Sequence, residues 1–486
     1  MSLSRNSRRE FLQRLAYLGG TAALLPQLRM IGTALASTSS LTGYKALVCV
    51  YLAGGNDSWN LLVPNDAARY ATYAASRGGV YNASSNPGGL ALPSPNAAQI
   101  ITDGNDANAA TNQYFMHPSL LNLSSLYQQQ KLAFVVNTGT LVEPINMADY
   151  NGSSALHPPQ LFSHADQEAL WHQANTNAGS TLGWGGLCAD NLQLNGANNT
   201  TDPQLSLCVS ISGANRFQVG TSVVPYQIAA SGLTTLHGVC NPSCSSSSKL
   251  RDTALNTLLT DTYANDFAGE YATVFQRGRN LYGLLGPGLN GTTLNTTFPD
   301  TSLGAQLKMV AQMIKLSMTQ NYASRQIYYV RLGGFDLHSG MFTGGAGDHA
   351  DLLAQVDAAL GAFWTSMGPA DVNAENDVVA FTASEFARTL QSNGSGSDHG
   401  WGGVQMVLGG GVHGGKLYSD GQGKISGFPD QSLNAPNNFS RGQMIPGISV
   451  DQYAATLAQW LGVGAADLGS IFPNLGNFGT SNLGFV

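Results

Sequence analysis

The sequence predicts an α/β fold: a largely parallel central sheet with helices on both faces. Three observations predict it. Six short runs are almost continuously apolar, the mark of strands buried on both faces, whereas a half-exposed strand alternates. Segments with apolar residues at helical spacing separate them, and that alternation builds a parallel sheet. A chain of 486 residues, 43% hydrophobic, can also bury a sizeable core.

The strands expected are ALVCVYLAG (46–54), KLAFVVNTG (131–139), QLSLCVSIS (204–212), RQIYYVRLGG (325–334), DVVAFTASEF (377–386) and VQMVLGGGV (404–412). The expected helices cover 117–130, with Leu120, Leu121, Leu123 and Leu126 in register, and 303–318, with Leu307, Val310, Met313, Ile314 and Met318. A third covers 349–367, with Leu353, Val356, Leu360 and Phe363 on one face. The last covers 449–462, where Ser449 is placed to cap the first free N–H groups.

The N-terminus reads as a leader. SRREFL (7–12) precedes a short apolar stretch (15–25) and an Ala-x-Ala site at 34–36. Paired arginines point to the Tat route, so residues 1–36 are expected to be removed and the protein to be periplasmic or extracellular. No later segment has the run of ~18 to 20 apolar residues that a membrane span needs. Residues 37–486 are expected to form a single domain, with insertions near 75–113 and 239–300.

Only 10% of residues are charged and the net charge is −7, which excludes the basic stripe of a nucleic-acid binder. The five cysteines fit an oxidising compartment. Cys240 and Cys244 in CNPSC could close a small loop, Cys188 and Cys208 could pair, and Cys49 reads as a buried strand residue. None is spaced as a cysteine metal site.

Ligands of open α/β sheets bind beyond the carboxyl ends of the strands. The acids and histidines of this chain gather there. Asp57 follows the first strand in GGNDSWN; Asp336 and His338 follow the fourth in GGFDLHSG; Asp398 and His399 follow the fifth in GSDHGWGG. Carboxylate oxygen and imidazole nitrogen in this mix suit divalent cations: Zn or Mn, or Ca where oxygens dominate. Five donors exceed one tetrahedral site, so two cations are expected. The flanking glycines let backbone approach a ligand closely. Taken alone, Asp57 could equally cap the next helix.

Ser163 is the candidate nucleophile, at a helix start in LFSHADQEALWHQ (161–173), with Ser58 as the alternative. The plain reading of Ser163 is an N-cap, with Asp166 completing a capping-box-like pattern. His164, His349 and His413 could complete a metal shell, but each reads as structural. Arg388, in ASEFART, could bind a substrate oxyanion with its two-pronged guanidinium.

LVCVYLAGGNDSWNLLVP, SHADQEALW, YYVRLGGFDLHSG and ASEFARTLQSNGSGSDHGWGGVQMVLGGGVHGG resemble a Tat-exported bacterial family of unknown function, grouped as sulfatase-like within the alkaline phosphatase superfamily. The resemblance spans nearly the whole mature chain and implies an alkaline phosphatase-like fold. It implies two metals, with Asp57, Asp336, His338, Asp398 and His399 as ligands and Ser163 as nucleophile. The short spacing of Asp336 and His338 departs from the superfamily pattern, and no Cys-x-Pro-x-Arg segment supports a formylglycine mechanism. The expected activity is hydrolysis of phosphate or sulfate esters of a small molecule or glycan. The alternative is an exported, non-catalytic protein that keeps the fold for binding or envelope assembly.

Overall fold

Alternation along one strand decides the architecture. In β1 (Lys45–Leu52), Ala46, Val48, Val50 and Leu52 pack into one apolar cluster, while Leu47, Cys49 and Tyr51 pack into another. A strand with two apolar faces must be covered twice. The first face carries helices Leu121–Gln128, Ser302–Gln320 and His349–Met367; the second carries His164–Gln173, Trp184–Leu194 and Val450–Leu461. The computed structural model describes residues 41–95, 99–152, 155–175, 180–197, 205–233, 245–439 and 441–486. The expected leader and the Cys240–Cys244 loop lie outside the described residues.

The sheet adds β2 (Leu132–Gly139), β3 (Cys208–Ser210), β4 (Tyr226–Gln227), β5 (Arg325–Leu332), β6 (Val378–Ala383), β7 (Gly403–Gly409), β8 (Leu417–Tyr418) and β9 (Ile448–Ser449). Their order is β8-β2-β7-β6-β1-β5-β3-β4, with β9 paired to β2. Every pairing is parallel except those of β7 with β2 and β6. Fold class and all six expected strands are thus present, with one strand reversed. The register Leu52↔Leu332 and Tyr51↔Ala383 aligns the carboxyl ends of β5, β1 and β6 side by side.

Packing holds the helices. Leu303, Leu307, Val310, Met313 and Ile314 of Ser302–Gln320 are fully buried, each contributing about 1.5–3 kcal/mol. Ser449 caps Val450–Leu461 as expected: its hydroxyl accepts from Gln452 N–H at 3.0 Å, and the Gln452 side chain accepts from Ser449 N–H at 3.1 Å. The helix expected over 117–130 is confined to Leu121–Gln128; ahead of it, His117 N–H donates to Leu61 carbonyl at 3.0 Å.

Part of 75–113 joins a small antiparallel sheet of Leu62–Pro64, Gln113–Met116 and Ile100–Thr102. Within 239–300, two helices, Ser246–Thr260 and Asp266–Gly291, are described. Cys188 and Cys208 do not pair: both are free and buried among apolar side chains, where Cys208 Sγ lies 3.9 Å from Gly185 carbonyl. Among the described residues, no helix is long and apolar enough to cross a membrane.

Candidate metal centre

The loops leaving β1, β5 and β6 meet at one edge of the sheet. Gly54, just past β1, has φ +120° and so close a neighbour in the Asp336 amide that a Cβ there would clash with it. This contact carries Asp336 to the mouth of the central strands. Past β6 the chain forms a ribbon, Arg388–Ser392 paired antiparallel with Ser397–His399, which returns His399 opposite Arg388. Gly400, next to His399, packs too near the Ala387 and Arg388 carbonyls for a side chain. The fourth contributor is the start of helix His164–Gln173.

Three imidazoles converge on one carboxylate. His164 Nε2 lies 3.3 Å from Asp336 Oδ2; His338 Nε2 and His399 Nε2 lie 3.2 and 3.4 Å from Asp336 Oδ1. The last two nitrogens are 2.9 Å apart. Each ring is held from behind through Nδ1: His164 by Glu385 at 2.8 Å, His338 by Asp398 at 2.8 Å, and His399 by the Phe162 carbonyl at 2.7 Å. A carbonyl or ionised carboxylate only accepts, so each Nδ1 carries the hydrogen. In the neutral rings the Nε2 lone pairs then face Asp336 and one another.

The electrostatics agree. The Glu385 hydrogen bond raises the His164 pKa against the effect of burial. Burial lowers His399, outweighing the Phe162 carbonyl. Burial alone would raise Asp336, but the Arg388 guanidinium, 2.7 Å from Oδ1, holds it below the usual carboxylate range. For Asp398, hydrogen bonds from Asn393, His338 and Arg441 overcome burial and take it down to about 2.

This donor set fits a divalent cation. Two imidazole nitrogens 2.9 Å apart share either a proton or a metal cation, and His164 Nε2 is buried with no hydrogen-bond partner. The donor atoms of His164, Asp336 and His399 all lie within 4.8 Å of one another, and His338 Nε2 lies within 3.2 Å of Asp336 and His399 as well. Imidazole nitrogen with a single carboxylate suits Zn²⁺ or Mn²⁺ rather than Ca²⁺, which takes six to eight oxygens.

Not every expected residue joins the cluster. Asp336, His338 and His399 do. Asp398 stands behind His338, its other oxygen facing Arg441. Asp57 is buried elsewhere: Oδ1 caps the short helix Ser58–Leu61 through Trp59 N–H at 3.1 Å, and Oδ2 pairs with the enclosed Arg77. Arg388 is 1% exposed. Its donors go to Asp336, to Gly54 carbonyl at 3.2 Å and to Ser397, so it anchors Asp336 rather than presenting a free fork.

Ser163 occupies the N-cap position of His164–Gln173, yet its hydroxyl caps no backbone; it donates to Asp166 at 2.6 Å. Ser58 is 2% exposed, and its oxygen accepts from Val404 N–H at 2.8 Å. His349 is buried with Nε2 3.2 Å from Asn56 Oδ1, and His413 donates to Gly484 carbonyl at 2.7 Å; neither joins the cluster. His164 does: the structure places it beside Asp336. Glu385 and Phe162, which orient two of the rings, carry no local sequence signal of that role. Phe162 has φ +71°, an uncommon conformation for a bulky residue that concentrates at functional sites.

Residues 296–434 match the family described as Protein of unknown function (DUF1501), which includes β5, β6, β7 and the Asp336, His338, Asp398 and His399 segments. No curated protein matches the chain. Among solved structures, a similar one is the crystal structure of Ps i-CgsB in complex with k-i-k-neocarrahexaose. It has 9% sequence identity and a TM-score of 0.34, and the match covers 87% of this chain and 73% of that one. Likeness at that level says nothing of activity.

Proposed function

We propose that this chain is an exported, metal-dependent hydrolase of phosphate or sulfate esters, the ester belonging to a small molecule or a glycan. The observation that supports it most is the convergence of three Nδ1-anchored imidazoles on Asp336. In this reading His164, Asp336, His338 and His399 hold the cation, and Asp398 and Arg388 orient them. A divalent metal in such a set polarises an ester oxygen and eases loss of a proton from a hydroxyl or water. The donors within reach of one another describe a single cation, so the second cation of the sequence expectation is not part of this proposal.

Ser163 is the proposed nucleophile. It directly precedes His164, and its hydroxyl hydrogen points to Asp166 Oδ2 at 2.6 Å, which gives the proton an acceptor. Ser58 is ill suited because its oxygen is enclosed and already accepts a backbone N–H. Export rests on the paired arginines, apolar stretch and Ala-x-Ala site of residues 1–36.

Purified protein assayed with aryl phosphates and aryl sulfates, in Zn²⁺, Mn²⁺ or Ca²⁺, tests the proposal. Turnover that chelator abolishes and Ser163→Ala removes is expected. A cation bound tightly with no turnover of either ester class would instead favour the non-catalytic, binding role.

A further inference from the structure

We propose that Glu385 is a positioning residue: it fixes which nitrogen of His164 carries hydrogen, and thereby sets the affinity of the cluster for a divalent cation. The proposal rests on the reading of His164, Asp336, His338 and His399 as ligands. Glu385 follows β6 and is 3% exposed. A carboxylate so deep is costly unless its oxygens are hydrogen-bonded. Gly54 N–H donates to Oε1 at 2.8 Å and Tyr51 hydroxyl donates to Oε2 at 3.3 Å.

These two donors come from β1 and its exit loop. They hold the carboxylate against the sheet independently of His164, so the sheet presents a preformed acceptor to the start of the helix. His164 Nδ1 lies 2.8 Å from the same Oε1. In water a neutral histidine favours hydrogen on Nε2; Glu385, which can only accept, demands it on Nδ1. Nε2 is thereby left bare toward Asp336 Oδ2, 3.3 Å away. A carboxylate behind a ligating imidazole also raises its basicity, and loss of such a partner costs about 10- to 100-fold in metal affinity.

Ring ¹⁵N NMR of the metal-free protein, with His164 assigned by its absence in His164→Gln, reads the hydrogen position directly. Zinc affinity is read by competition with a chromophoric chelator. At a pH where the His164 ring is neutral, wild type is expected to show hydrogen on Nδ1 alone. Glu385→Leu should move it to Nε2 and weaken zinc binding by about 10- to 100-fold. Glu385→Gln keeps an acceptor oxygen, so it should retain the wild-type hydrogen position and lose less affinity. Hydrogen on Nε2 in wild type, or unchanged zinc affinity in both variants, would overturn the proposal. Should Glu385→Leu fail to fold, the smaller Glu385→Ala takes its place, and unchanged zinc affinity there overturns it. A wild-type chain that binds no zinc defeats the ligand reading and the affinity claim with it, and the ring hydrogen position then reports on Glu385 alone.

Discussion

Asp57 separates two accounts of the sheet edge. Its position after β1 marks it as a ligand, whereas its contacts mark it as half of an ion pair. Asp57 and Arg77 are both enclosed, at 2% and 0% exposure, so neither charge has water to fall back on. Asp57→Ala would leave the Arg77 charge buried alone. Breaking a buried pair by removing one partner costs about 3–5 kcal/mol, and loss of the Trp59 N–H cap adds roughly 1 kcal/mol. Urea unfolding followed by tryptophan fluorescence should therefore show a large loss of stability. Zinc affinity of the folded fraction should stay near wild type. Asp57→Ala/Arg77→Met, which removes both charges, should regain much of the lost stability. An Asp57→Ala protein that keeps its urea midpoint but no longer binds zinc would refute this reasoning and restore Asp57 as a ligand.

Gly54→Ala places a methyl group against the Asp336 amide at a φ of +120°; the loop must shift, and zinc affinity should fall at least tenfold in a titration while Gly43→Ala, with open space around it, has no such effect. Asp451 gives a pH signature. It is fully enclosed with Oδ1 unpartnered, and burial pushes its carboxyl up to about 8. A folded value above the unfolded one near 3.9 means that the stability it contributes is complete below about pH 4. That stability is lost as pH rises toward 8, at roughly 1.4 kcal/mol per unit at most. Denaturation midpoints of wild type should decline over that window and those of Asp451→Asn should decline less; parallel profiles would refute the assignment.

What was legible in the sequence is what local pattern encodes. Continuous apolarity named the six strands, and helical spacing named Ser302–Gln320, His349–Met367 and Val450–Leu461 nearly to their ends. The reversal of β7 was not legible, because a strand covered on both faces looks the same in either direction. At the site, Asp336, His338 and His399 stood out because they follow strands between glycines. His164 did not, since it follows no strand directly and its anchor, Glu385, lies 221 residues away. Asp57 misled for a matching reason: a strand-end acid shows its position in the sequence but not its partner, and Arg77 arrives on the turn that ends helix Ala67–Ser76. Cys188 and Cys208 show the same limit, being brought into one apolar layer without bonding.

The central claim is that imidazoles anchored through Nδ1 hold a cation with Asp336. Elemental analysis of the purified protein, with zinc titration of metal-stripped wild type, Asp336→Ala, His399→Ala and Asp398→Ala, tests it most directly. The account predicts a tightly held zinc or manganese ion in wild type, loss of it in Asp336→Ala and His399→Ala, and weakening by about 10- to 100-fold in Asp398→Ala, which only orients His338. Absence of any cation from wild type, or full retention in Asp336→Ala and His399→Ala, would contradict it.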